Sequence, residues 1–328
     1  MSDPRSRDEL NRHRFAITLA CGVVGLIAAG ALVKSREAGL SVPDWPLSYG
    51  GVNPPRWWEI ANVRAEHGHR LIAGTIALAT FVLAFWTWRR EERRWVRNLA
   101  WGAFGAVLLQ ALLGGITVLF FLPPAISISH AALAELFLCM VISVGAVTSR
   151  WWHDAPRAEG PTVGRTGQVA LATTVAIFGQ ILLGAVVRHG DAGLAIPDFP
   201  LVFGGLLPPE WTPAIAIHFA HRVGAGLVAV LIIGVLREVH ASGAGIGPAR
   251  TASFFLAGLV LIQIGLGGAV VLTGRAIVPN TIHVATGATL LALSMLVTLA
   301  TCRMAAVTQQ ARVALDSVRT TAPSPGEA

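Results

Sequence analysis

Charge is what this 328-residue chain has least of: Asp, Glu, Lys and Arg together make up 13% of it, about half the share found in soluble domains. Hydrophobic residues reach 54%, so hydrocarbon rather than water is the solvent this composition suits, and the chain reads as an integral membrane protein. Cysteine is nearly missing as well. Cys21, Cys139 and Cys302 all fall inside or at the end of apolar runs, which leaves no CxxC, no metal-ligand spacing and no disulfide framework. Acidic residues are outnumbered, 18 against 25 Lys and Arg, but the resulting net charge of +7 does not point to nucleic acid. The arginines gather in short clusters between apolar runs, where the positive-inside rule accounts for them without a polyanionic partner.

Long apolar runs are what the sequence has in their place. After a polar segment carrying Arg5, Arg7, Arg12 and Arg14, the first run covers 15–33, and others follow at about 67–88, 97–121, 127–149, 168–187, 214–236, 250–273 and 279–302. Each is long enough to cross a bilayer as a helix, which predicts an all-α protein with eight transmembrane helices. The first run is too long for the core of a signal peptide. Arginines mark the joints after spans two, four and six and both termini: Arg89, Arg90, Arg93, Arg94 and Arg97, then Arg150, Arg157 and Arg165, then Arg237 and Arg250, then Arg303, Arg312 and Arg319. Both ends are therefore expected in the cytoplasm, with membrane lipid as the surrounding partner.

The chain also repeats itself. Ala38-Gly39-Leu40-Ser41-Val42-Pro43-Asp44-Trp45-Pro46-Leu47 returns 154 residues later as Ala192-Gly193-Leu194-Ala195-Ile196-Pro197-Asp198-Phe199-Pro200-Leu201. Lys34 recurs as Arg188, and Gln110 with Gly114-Gly115 recurs as Gln263 with Gly267-Gly268. The expectation is a tandem duplication of a four-span unit, giving two parallel-repeat four-helix bundles related by an axis along the membrane normal. The units would be a cytoplasmic N-terminus at 1–14, a first half at 15–150, a linker at 151–167, a second half at 168–303 and a disordered cytoplasmic tail at 304–328.

Four histidines stand in register on this frame. His69, His130, His221 and His283 open spans two, four, six and eight, separated by 61 residues in the first half and 62 in the second. All four helices run in the same direction, so the imidazoles should share one shallow depth. Two imidazoles facing each other across a bundle are what six-coordinate haem iron requires, whereas zinc would call for cysteines or a third ligand. His13, His153, His189 and His240 lie outside the spans and read as solvated.

The two halves differ around these histidines. Glu66 stands three residues before His69, on the same helix face, where the second half has His218. Glu135 lies in span four, and its counterpart in span eight is Ala288. Carboxylates inside a bilayer are costly and usually functional. For Glu66 the plain alternative is a carboxylate favouring a helix N-terminus; for Glu135 it is pairing with a neighbouring Arg or Gln. His67 points about 100° away from His69 and reads as a surface or supporting group. Arg70 and Arg222 could pair with haem propionates or anchor the helices at the interface.

Together these residues resemble the haem A synthase family, over about 15–303: eight spans in two halves, Glu66-His67-Gly68-His69-Arg70 in span two, histidines in spans four, six and eight, and outer loops of the Gly39-Leu40-Ser41-Val42-Pro43-Asp44-Trp45-Pro46 kind. The resemblance implies oxidation of the C8 methyl of haem O to a formyl group through hydroxylated intermediates, supplying haem A for cytochrome oxidase. It implies haem b as the cofactor, held by His221 and His283, with substrate haem O at His69 and His130 and Glu66 needed for turnover. It further implies the cell (inner) membrane, haem O synthase and cytochrome oxidase assembly factors as partners, and a homo-oligomer as a possible form. Many family members carry a cysteine pair in the first outer loop; residues 36–64 contain none, so no thiol chemistry belongs to that loop here. Two other readings stand beside this one. A quinone-linked dihaem b electron carrier would want like halves, which Glu66 and Glu135 oppose, and a parallel-repeat transporter would want helices broken at mid-membrane.

Overall fold

A computed structural model describes residues 4–154, 164–241 and 247–321. Its helices are α1 (Pro4–Ser35), α2 (Ala61–Arg90), α3 (Arg94–Leu119), α4 (Pro124–Val147), α5 (Arg150–Asp154), α6 (Arg165–His189), α7 (Pro213–Ala241), α8 (Gly247–Leu272) and α9 (Ile277–Thr321), with a single 3₁₀ turn at Ala192–Leu194. Eight of them, all but α5, are long and apolar enough to cross a membrane. The protein is an all-α, multi-pass membrane protein, and among the described residues extended pairing is limited to two isolated bridges in the long loops.

Helix ends follow local chemistry. Pro123 is extended and Pro124 sits in the first turn of α4, where its missing N–H costs nothing. Between α2 and α3, Glu91 leaves the helical region, and its N–H closes on Thr87 O at 2.9 Å. Two boundaries differ from the sequence expectation. The helix of the first span already begins at Pro4, so most of the 1–14 segment belongs to α1. At the other end, α9 continues to Thr321 where a disordered tail was expected from residue 304. Ala, Gln, Arg, Val and Leu dominate that stretch and no proline occurs before Pro323. An existing helix propagates through such residues without a new nucleation cost. The linker expected at 151–167 begins as α5, and its central residues 155–163, like the last residues 322–328 of the expected tail, lie outside the described residues.

The helices pack as two rings. α1 touches α2 and α4, and α3 touches α2 and α4; α6 touches α7 and α9, and α8 touches α7 and α9. Contacts between the rings run from α4 to α9, from α1 to α9 and from α4 to α6, an arrangement compatible with two repeats about a common axis. The seam is shared rather than flat. Ala288 and Ala292 of α9 join the apolar cluster built on α1 to α4, while Cys139 of α4 packs into the cluster of α6 to α9. Cys139 and Ala292 are themselves counterparts, 153 residues apart.

Candidate functional site

All four histidines lie near the loop-bearing ends of their helices. His69 and His221 are each eight residues into α2 and α7, and His130 and His283 each six into α4 and α9. At 1.5 Å per residue these positions are about 12 and 9 Å from their helix starts in both halves. Within each half the rings are electrostatic neighbours, His69 with His130 and His283 with His221.

Each ring lies against a glycine of the adjacent helix. A β-carbon at Gly30 of α1 would come within 3.1 Å of His69 Cε1, and one at Gly114 of α3 within 3.2 Å of His130 Cε1. In the second half the same probe gives 2.9 Å from Gly184 of α6 to His221 and 3.2 Å from Gly267 of α8 to His283. Any larger side chain would push the ring out of place, so the four glycines form the cradle that admits the imidazoles. Buried imidazole nitrogens normally find partners, yet the Nδ1 atoms of His69, His130 and His283 have none among the described residues. At His221, the Gln180 amide lies 3.0 Å from Nδ1 and donates to the His221 carbonyl at 2.7 Å. Gln110 likewise donates to His130 O at 2.8 Å. Among the described residues no three His, Cys, Asp or Glu side chains converge into a metal cage. Paired imidazoles with partnerless nitrogens and glycine-lined surroundings fit a haem, which needs two axial ligands and room for a flat ring.

The long loops fold back over these sites in matching ways. Asp44 accepts the N–H groups of Tyr49 and Gly50, both at 2.7 Å, and Asp198 those of Phe203 at 2.9 Å and Gly204 at 2.7 Å. Each aspartate thereby caps a tight turn whose two central residues have positive φ, Tyr49 and Gly50 or Phe203 and Gly204. The N–H groups of Gly50 and Gly204 hold these carboxyls below the usual carboxylate range, against the modest opposing effect of burial. Trp45 and Phe199 then insert against Gly115 and Gly268.

The arginines after the histidines hold the loops down. Arg70 donates to the carbonyls of Asp44, Leu47 and Val42 at 2.7, 2.8 and 2.9 Å. Arg222 does the same to Asp198, Leu201 and Ile196 at 2.7, 2.9 and 3.1 Å. Both guanidiniums are thus engaged by loop backbone. Glu66 is buried and completes the first clasp, accepting from Val42 N at 2.8 Å and from Arg70 at 2.7 Å. At the equivalent place His218 faces Ile196 N and Arg222 Nε, each at 3.3 Å.

Several other side chains stand apart from their sequence readings. His67 is not at the surface: it is buried beneath the first loop, with Nδ1 2.9 Å from Ser48 Oγ and its ring 4.8 Å from Trp57. Of the histidines read as solvated, His153 is exposed, whereas His13 and His240 are partly buried and bonded to Gly145 O at 2.7 Å and Leu236 O at 2.8 Å. Partly buried too, His189 has Lys34, Arg188 and His130 as electrostatic neighbours. Glu135 is buried, and its Oε2 has no partner among the described residues. Gln180 and the cradle role of the four glycines had not been read from the sequence. For the glycines the signal was present in the 154- and 153-residue spacings of Gly30 with Gly184 and Gly114 with Gly267, whereas the place matching Gln180 holds Leu26.

Comparison with known proteins identifies the family. A family model described as cytochrome oxidase assembly protein matches residues 59–295. Heme A synthase of Shouchella clausii is 30% identical, the aligned region covering 80% of this chain and 87% of that protein. Heme A synthase of Methylobacterium sp. is also 30% identical, over 80% and 84%. Heme A synthase of Halalkalibacterium halodurans is 28% identical over 82% of this chain and 90% of its own. With its eight spans, its histidine register and a family match across most of its length, the chain belongs to the haem A synthase family of cytochrome oxidase assembly proteins.

Proposed function

We propose that this protein is a haem A synthase, oxidising the C8 methyl of haem O to a formyl group through hydroxylated intermediates and so supplying haem A for cytochrome oxidase. The observation that carries the reading is the fourfold apposition of a helix-start histidine on a neighbouring glycine, with Glu66 replacing His218 beside one pair only. His221 and His283 would hold haem b as the resident cofactor, and His69 and His130 would hold haem O as substrate. A bound haem b supplies one-electron transfer between the two sites and the outside.

The chain's own residues set the conditions for the chemistry. Gln110 and Gln180 fix the backbone turns that carry His130 and His221, while the glycines set how closely each ring lies to the neighbouring helix. Arg70 and Arg222 pin the outer loops over the sites, limiting access of bulk water. Turning a methyl into a formyl group replaces C–H bonds by bonds to an added oxygen atom, releases protons and develops positive charge near the carbon. Glu66, one turn before His69, is the group placed to take a proton or balance that charge. His218 holds the second loop from the equivalent place.

The arginine-rich joints support a cytoplasmic location for both termini, and the activity proposed supports the cell (inner) membrane. Haem O synthase would deliver the substrate, assembly factors of cytochrome oxidase would take the product, and copies of the chain could associate as a homo-oligomer. The test is pigment extraction after expression with and without a haem O source. Haem A should appear only when haem O is supplied. Recovery of unchanged haem O would overturn the reading in favour of a dihaem b electron-transfer protein.

A further inference from the structure

Arg70 and Arg222 are engaged by loop backbone, and two further cations stand on the loop-bearing side where the two propionates of a bound haem would lie. A carboxylate held in a helix bundle needs a cation or hydrogen-bond donors at its depth. Lys34 follows Gly30 by four residues along α1, and Arg188 follows Gly184 by four along α6. Residues four apart share a helix face, so each cation stands one turn, about 6 Å, beyond the glycine that faces His69 or His221, on the loop-bearing side. Both side chains are half-buried. Neither has an acidic partner among the described residues: Lys34 makes no hydrogen bond or ion pair there, and Arg188 meets only neutral acceptors. These are Asn280 Oδ1 at 3.2 Å, Ala31 O at 2.7 Å and Ser35 Oγ at 3.0 Å. Arg188 acts electrostatically on His283, and Lys34 shares the neighbourhood of His130 around His189. A half-buried cation with no acidic partner, at the loop-bearing end of a transmembrane helix, has its charge available to an anion bound beside it.

We propose that Lys34 and Arg188 are the propionate anchors of the two haem sites, Lys34 for the ring held by His69 and His130, and Arg188 for the ring held by His221 and His283. The assignment rests on reading the histidine pairs as haem sites. It also explains the choice of residue. Arginine offers a planar fork that grips a carboxylate in two places and suits a retained cofactor, while lysine is a mobile point charge that suits a substrate which must leave.

The test is optical titration of the purified full-length protein with protohaem and with its dimethyl ester, which lacks the propionate charges. The unaltered chain should bind protohaem at the His69 site about tenfold more tightly than the ester, the size expected of one charge-assisted hydrogen bond. Lys34→Gln should weaken protohaem about tenfold, leave the ester unchanged and so erase the preference, and Lys34→Arg should restore it. Protohaem and ester weakening together in Lys34→Gln, or a preference that survives it, would overturn the anchor. Arg188 also ties α6 to α1 and α9, so its test is Arg188→Lys, which keeps the charge: haem b should be retained there and lost from Arg188→Gln, and equal retention in both would overturn its half. Uptake of neither compound by the unaltered chain would overturn the haem-site reading itself, and the anchors with it.

Discussion

Glu66 and His218 hold equivalent places but cannot hold them equally well. A carboxylate can accept from the Val42 N–H and the Arg70 guanidinium at once, and does so at 2.8 and 2.7 Å. A neutral imidazole has one acceptor nitrogen, so His218 can satisfy only one of the donors that face it, Ile196 N–H and Arg222 Nε, each at 3.3 Å. The first half therefore has an acidic group, clasped by Arg70, beside its histidine pair, and at that place the second has an imidazole. Glu66→Gln keeps an acceptor for Val42 but deletes the charge. Folding and the haem b signal of His221 and His283 should persist, while haem A falls by about a hundredfold or more, the lower end of the range for a lost proton-transfer group. Chromatography of extracted haems should show haem O or a hydroxylated intermediate in its place. Near-normal haem A would leave Glu66 as a loop anchor alone. The histidines and Glu66 were legible in the sequence because duplication repeated the histidines and broke the pattern at the glutamate. The targets of Arg70 were not, since its acceptors are backbone carbonyls that exist only once the loop has folded.

At the scale of elements, the joint between α2 and α3 shows arginines doing more than marking the cytoplasmic side. Glu91 is held bidentately by Arg93, through Nε at 2.8 Å and NH2 at 3.0 Å, and Arg12 of α1 approaches it at 3.3 Å. Arg93 continues to Val147 O at 2.9 Å at the end of α4, so one carboxylate gathers four helices. Burial pushes the Glu91 carboxyl up, but the hydrogen bonds from Arg93 and the charges of Arg93 and Arg12 outweigh it and bring it below its ordinary value of 4.5. A carboxyl lowered by folding contributes its stability in full at neutral pH and loses it as the pH falls below 4.5. Glu91→Gln should therefore lower the thermal unfolding midpoint at pH 7, by an amount corresponding to about 3–5 kcal/mol for a broken buried pair. The difference from the unaltered chain should shrink on acidification, and a gap that stays constant down to pH 3 would show that the charge is not the cause. The spans themselves were legible from apolar length. Their polar ends were not, because whether Pro4–Arg14 and the segment after Arg303 are helical depends on propagation from a neighbouring apolar turn rather than on hydropathy.

Across the whole molecule, two rings of four helices share a seam through α4 and α9, and exchange small side chains across it. Such reciprocity ties the two halves together while letting each differ in polarity. It also predicts unequal haem occupancy. The second half holds His221 through Gln180, at both Nδ1 and the carbonyl, and has His218 where the first half has Glu66, which suits a cofactor that stays. The first half has the Glu66 carboxyl and leaves Nδ1 of both His69 and His130 without partners among the described residues, where the second half leaves only that of His283, so its ligands are less firmly oriented, as an exchangeable substrate requires. His221→Ala or His283→Ala should remove the low-spin haem b spectrum from purified protein, since a single remaining imidazole cannot keep the iron six-coordinate. His69→Ala should leave most of that spectrum while abolishing haem A formation. Equal loss of one and the same signal from His69→Ala and His221→Ala would mean that the two halves do not divide the work, and that the difference between Glu66 and His218 has another cause.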